Sequence, residues 1–112
     1  MTPLAGLKRE RPPMTLFIDA PTWPGHGRLW SHLVSDASYA ELHAFAAGLG
    51  LPERAFDRDH YDVVSDRYAA ALAAGAQPVS SREIVARLHG AGLRRRKVSR
   101  LAQPPGATLR NV

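Results

Sequence analysis

The chain has 112 residues, 45% of them hydrophobic and 22% charged, with no cysteine. This composition suits one globular domain with a modest core, and the lack of thiols excludes a disulfide framework, a thiolate zinc site and a cysteine nucleophile. The net charge of +5 suggests nucleic acid until the charges are placed along the chain. Residues 94–112 hold six cations and no acid, whereas residues 14–93 hold nine acids, six arginines and all five histidines, a middle better suited to a metal or a polar catalytic site than to a phosphate backbone.

Residues 1–13 contain three prolines and no apolar leader, so they are set aside as an extension, and Met14 is itself a candidate start. Thr15–Ile18 reads as a short strand closed by Asp19-Ala20-Pro21. Pro21–Gly27 is turn chemistry, and Leu29–Val34 reads as a short extended segment or an ordered loop. Ser38-x-x-Glu41 is a capping box that opens a helix with Leu42, Phe45, Ala46 and Leu49 on one face and Gly50 beyond its end.

Pro52 blocks continuation, and Arg54–Phe56 is a candidate strand running into the polar segment Asp57–Asp62. Ser65 is expected to cap a second helix over Asp66–Ala74, ended by Gly75. Ala76–Val79 is a third short run. Ser80-x-x-Glu83 then opens a third helix with Ile84, Val85 and Leu88 facing inward and Gly90 and Gly92 closing it. This alternation predicts an α/β domain over residues 14–93, of two or three layers, with a short, mostly parallel sheet, three helices and a long loop after the first strand. From residue 94 the chain reads as a basic tail containing proline and glycine.

In a parallel α/β sheet, ligands bind beyond the carboxyl ends of the strands. That rule gathers Asp19, Asp57, Asp59 and His60 with Ser80 and Ser81 at a helix N-terminus. The segment before the first helix adds His26, Arg28, Trp30, His32, Ser35 and Asp36. Asp19, His32, Asp57 and His60 form a mixed nitrogen and oxygen set suited to Zn, Mn or Fe. Asp36, Asp59 or His60 could then move the proton of an attacking water, and Tyr61 stands beside them. His43, inside the first helix, reads as a packed histidine, and His89 suits the C-terminal end of a helix dipole. Trp23 and Trp30 read as core or lid residues. No phosphate-binding loop, dinucleotide fingerprint, nucleophile elbow or zincin motif is present.

Three segments carry a resemblance: Trp23-Pro24-x-His26-Gly27-Arg28-Leu29-Trp30-Ser31-His32-Leu33-Val34-Ser35-Asp36, then Glu41-Leu42-His43-Ala44-Phe45-Ala46, then Phe56-Asp57-x-Asp59-His60-Tyr61-Asp62. Over about residues 14–93 the sequence resembles a small bacterial and phage family, domain of unknown function 4031. The resemblance implies that Trp23–Asp36 and Phe56–Asp62 belong to one unit, and it implies no activity, ligand or site residue.

The functional expectation is a metal-dependent hydrolase acting on a phosphoester through the His/Asp cluster. The alternative is a binding module that contacts nucleic acid or an acidic partner through Arg94, Arg95, Arg96 and Lys97. No run approaches the ~18 apolar residues of a membrane span, so a cytoplasmic protein without membrane contact is expected, and its small size leaves room for a homo-oligomer.

Overall fold

The computed structural model describes residues 15–95. Leu16–Ile18 forms β1, Trp23–Gly25 β2, Arg28–Ser35 β3 and Tyr39–Gly48 α1. A 3₁₀ turn at Glu53–Ala55 leads into β4, Phe56–Asp57, and β5, His60–Val64. A second 3₁₀ turn at Ser65–Arg67 runs into α2, Tyr68–Ala73; β6, Gln77–Pro78, then precedes α3, Ser81–Gly90.

The six strands form one sheet in the order β4-β5-β3-β1-β6. β2 lies on the β1 side of β3, so that β1 pairs with the second half of β3 and β2 with the first. The α/β class agrees with expectation; the mostly parallel sheet does not. Only β1 and β6 run parallel among the described strands, and every other pair is antiparallel. The reason is two tight hairpins. His26 and Gly27, both at positive φ (52° and 74°), link β2 to β3, the paired left-handed conformation of a type I′ turn whose twist matches the strands it joins. Arg58 and Asp59 link β4 to β5, with Arg58 at φ 61° and the Asp59 N–H donating to the Asp57 carbonyl at 2.6 Å.

The expected long loop after the first strand is therefore a hairpin, and Leu29–Val34 lies within the eight-residue β3, which pairs on both sides. The expected strand Arg54–Phe56 is a 3₁₀ turn except for Phe56. The polar segment after it is the hairpin into β5. The Ser38 and Ser80 hydroxyls cap their helices as read, accepting from the backbone N–H of Glu41 and Glu83, each at 3.0 Å. The reciprocal half of each box does not form: the Glu41 carboxylate accepts from the hydroxyls of Thr15 and Ser35, and that of Glu83 from Arg87. Ser65 makes no such cap, and the second helix starts only at Tyr68.

Strand alternation divides the side chains between two faces. One face carries Ile18, Leu33, Tyr61 and Val63, packed with Leu42, Ala46 and Leu49 of the α1 region and Ala71 of α2. The opposite face carries Phe17 and Val34, covered by Ile84 and Leu88 of α3. α3 covers that second face around β1 and the end of β3. Trp30, His32, His60, Asp62 and Val64 share this face, by the cross-strand pairs Trp30 with Val64 and His32 with Asp62.

Leu33 is fully buried at the centre of the sheet, whereas Leu29 on the same strand is 47% exposed. Leu33→Ala is expected to lower the unfolding free energy by about 2–5 kcal/mol, and Leu29→Ala by less than about 0.5 kcal/mol, as measured by urea denaturation.

Candidate functional site

The cluster follows from strand register. His32 stands directly opposite Asp62 across the β3–β5 pair, and His60 precedes Asp62 by two residues on the same face, so the three side chains are immediate neighbours. A slip of one residue in either strand would send them to the other face. One nitrogen from each histidine and one carboxylate oxygen of Asp62 all lie within 4.8 Å of one another. The His60 Nε2 to Asp62 Oδ1 distance is 3.1 Å, and the two imidazole rings meet edge to face with centroids 5.0 Å apart.

Each imidazole is held from behind by a buried aspartate. Asp19 is 1% exposed and its Oδ2 lies 2.8 Å from His32 Nδ1, while its Oδ1 accepts the His32 backbone N–H at 2.6 Å. The Ser81 hydroxyl, at the start of α3, donates to Asp19 Oδ2 at 2.7 Å, and the Trp23 indole N–H donates to the same oxygen at 3.3 Å. Asp59 is fully buried. Its Oδ1 lies 2.9 Å from His60 Nδ1, and its Oδ2 accepts from the Arg94 guanidinium at 3.2 Å and the Arg95 backbone N–H at 2.8 Å. A carboxylate on Nδ1 takes the ring proton there, and the Nε2 of His60 faces the Asp62 carboxylate.

Burial alone would push the Asp19 carboxyl up, but the hydrogen bonds from His32 and Ser81 outweigh it and hold the group below its ordinary value. The same balance holds for Asp59, with hydrogen bonds from His60 and the Arg95 backbone and the charge of Arg94 outweighing burial. Burial would push His60 down, yet its hydrogen bonds to Asp62 and Asp59 raise it.

The cluster opens onto a cleft of about 700 Å³ lined by Trp23, His26, Trp30, His32 and Asp62 on one side and by Leu51, Arg54, Ala55 and Arg67 on the other. The cleft reaches around the edge of β5, because β4 is only two residues long and pairs no further than Tyr61. Pocket volumes of this order are usual for small-molecule sites.

Of the residues singled out in the sequence, Asp19, His32, Asp59 and His60 come together, with Ser81 behind them. Asp19 and Asp59 face the Nδ1 atoms, on the far side of each ring from Nε2. Asp57 stands across from His60 in the β4–β5 pair, but its half-exposed carboxylate turns to Arg58 at 3.1 Å. Asp36 lies past the end of β3 against Arg87 at 3.6 Å, about 13 Å along the strand from His32 at a rise of about 3.3 Å per residue. Ser35 is tied to Glu41 at 2.5 Å, Ser80 is the cap of α3, and Arg28 pairs with Asp66 at 3.2 Å on the outside of the hairpin. Tyr61 is buried on the opposite face, with its hydroxyl 2.7 Å from His43 Nδ1. His26 and Trp30 line the cleft.

Arg94 and Arg95 dock on Asp59 and Tyr39, with the Arg95 Nε donating to the Tyr39 hydroxyl at 2.9 Å. Arg96 and Lys97 lie outside the described residues. The residue that reading from sequence missed is Asp62, together with Arg54, Arg67 and the internal role of Arg94. The signal for Asp62 was the alternation in His60-Tyr61-Asp62-Val63, which places His60 and Asp62 on one face of a strand.

Two predictions follow from this bracing. Arg94→Ala removes the cation beside a fully buried carboxylate and is expected to destabilise the protein by about 1–3 kcal/mol, read as a lowered melting temperature. Asp19 and Asp59 have folded values below their unfolded ones, so their contribution is present above the unfolded carboxylate value and lost as pH falls through the folded one. The protein is expected to lose stability below about pH 4, and Asp19→Asn is expected to flatten that loss in thermal melts across pH.

No described helix is long and apolar enough to cross a membrane. No curated protein and no solved structure significantly matches the chain. The family model described as "Protein of unknown function (DUF4031)" matches residues 16–91, a span holding His32, His60, Asp62 and both bracing aspartates, and the chain belongs to that family.

Proposed function

We propose that His32, His60 and Asp62 hold one divalent cation and that the domain is a metal-dependent hydrolase of phosphoesters. The observation that carries this reading is the pair of buried carboxylates, each on the Nδ1 of an imidazole in the cluster that includes Asp62. Removing a carboxylate from water costs several kcal/mol. Bracing a ring so that its free nitrogen is oriented and more basic is the usual second-shell arrangement of a metal-ligating histidine. Two nitrogens and one oxygen suit Zn, Mn or Fe, and three protein ligands leave positions open for water and substrate.

A bound cation would supply Lewis acidity and a water of lowered pKa. The chain itself supplies the cleft and its charge. Arg54 and Arg67 line the same cavity as His32 and Asp62, and guanidinium groups match the oxygens of a phosphoryl group, which favours a phosphoester over an amide. In the reaction the water oxygen bonds to phosphorus and the ester P–O bond breaks. One water proton ends on the departing alcohol, and the other stays on the released phosphate. Asp59 is enclosed by His60, Arg94 and Arg95 and serves this reading by holding His60; Asp36 has no part in it.

Protein purified without a histidine tag is expected to take up one equivalent of Zn or Mn and to melt at a higher temperature when loaded. Asp62→Asn is expected to abolish uptake, and Asp59→Asn to weaken it by about 10–100-fold. Asp57→Ala serves as the control and is expected to bind as the wild type does. Metal analysis and calorimetry check this: wild-type protein that binds neither ion, or an Asp62→Asn variant that binds as tightly as wild type, overturns the reading.

A further inference from the structure

The walls of the cleft carry two features that holding a metal ion does not require. The first is aromatic. The chain has two tryptophans, and both line this cleft. Each is fixed by its indole N–H: Trp30 donates to the Gly25 carbonyl at 2.7 Å and Trp23 to the buried Asp19. Trp23 is nevertheless 45% exposed. An indole locked by a buried carboxylate, with its ring open to solvent, is a rigid platform left uncovered in the free protein.

The second feature is charge. Arg28, Arg58, Arg87 and Arg94 each pair with a carboxylate. Arg54, Arg67, Arg82 and Arg95 make no ion pair among the described residues; Arg95 is turned to Tyr39, and two of the other three line the cleft. Arg67 leans across the turn after α1, where its guanidinium would lie 3.9 Å from a Cβ at Gly50. This brings it towards the loop that carries Arg54. Two uncommitted guanidinium groups in a cavity with fixed aromatic rings call for one molecule with a flat ring system and a phosphate-type anion.

We infer that the cleft binds a nucleoside monophosphate unit, its base against Trp23 and Trp30 and its phosphate at Arg54 and Arg67, beside His32 and Asp62. This rests on the phosphoester reading and names the substrate class for that site. Stacking accepts the π-face of any base, so the aromatic wall selects nucleotides over sugar phosphates without selecting one base.

Since both indoles stand in the cleft, intrinsic fluorescence reports its occupancy directly. The full chain, kept metal-free with a chelator, is titrated with adenosine 5′-monophosphate, ribose 5-phosphate and adenosine. The expected result is saturable quenching by the nucleotide, with ribose 5-phosphate and adenosine each weaker by at least about tenfold. An Arg54→Ala/Arg67→Ala double variant with an unchanged circular dichroism spectrum is expected to lose at least about tenfold in nucleotide affinity and none in adenosine affinity. Ribose 5-phosphate binding as tightly as the nucleotide, an unaffected double variant, or no quenching at all overturns the inference. Metal uptake is measured separately on the same preparation. Uptake without nucleotide binding overturns this inference alone, and nucleotide binding without uptake overturns the metal-dependent hydrolase reading alone.

Discussion

Two carboxylates taken out of water dominate the architecture of this domain. A buried aspartate is tolerable only when its oxygens are saturated by donors and nearby positive charge, and here the donors come from elements far apart in the chain. Asp19 gathers the end of β1, the middle of β3, the indole of Trp23 and the first residue of α3. Asp59 gathers β5 and the segment that follows α3. Each is thus a junction between strands and the C-terminal helix, and both junctions end on an imidazole of the same cluster. Stability and the geometry of the site are coupled at these two residues.

The placement of helices explains why that cluster is accessible. α1 and α2 cover one face of the sheet, while α3 lies over Phe17 and Val34 on the other. The remainder of that second face, along β3 and β5, keeps its polar and aromatic residues beside the cleft. The short β4 leaves the edge of β5 unpaired beyond Tyr61, and the cleft passes around this edge to the two arginines. The hairpin turn at Arg58 adds local strain. A non-glycine residue at φ 61° is held there at an energy of order 1 kcal/mol or more, and the turn is what directs Asp59 beneath His60.

Helices were the legible part of this sequence, because their ends are written in local chemistry. Ser38 with Glu41 and Ser80 with Glu83 mark two starts, and Gly50 and Gly92 mark two ends. Strands were harder to read for a physical reason. β3 and β5 each place polar groups on the face that would otherwise carry an apolar pattern, so His60-Tyr61-Asp62 looks like a polar loop, and Trp30-Ser31-His32 like no regular element. Neither hairpin has the usual asparagine–glycine or aspartate–glycine signature, since His26-Gly27 and Arg58-Asp59 make the turns, and the alternation of strands with helices then suggested parallel pairing. Four of the gathered side chains were readable as residue types, but which nitrogen faces which carboxylate depends on register, and register was not visible before the hairpins were. Asp57 and Asp62 look equivalent in the sequence; only strand pairing separates a turn carboxylate bonded to Arg58 from one that meets both rings.

The family match ends at residue 91, while the chain continues through Leu93, whose carbonyl accepts from the Tyr39 hydroxyl, to Arg94 and Arg95 at Asp59. A fragment trimmed to the matched boundary would therefore discard the guanidinium that neutralises an interior carboxylate. Its imidazole would sit against an anion with one counter-charge fewer. Residues beyond a family's edge can belong to the wiring of its centre, and here the minimal domain for expression has to run past the last helix.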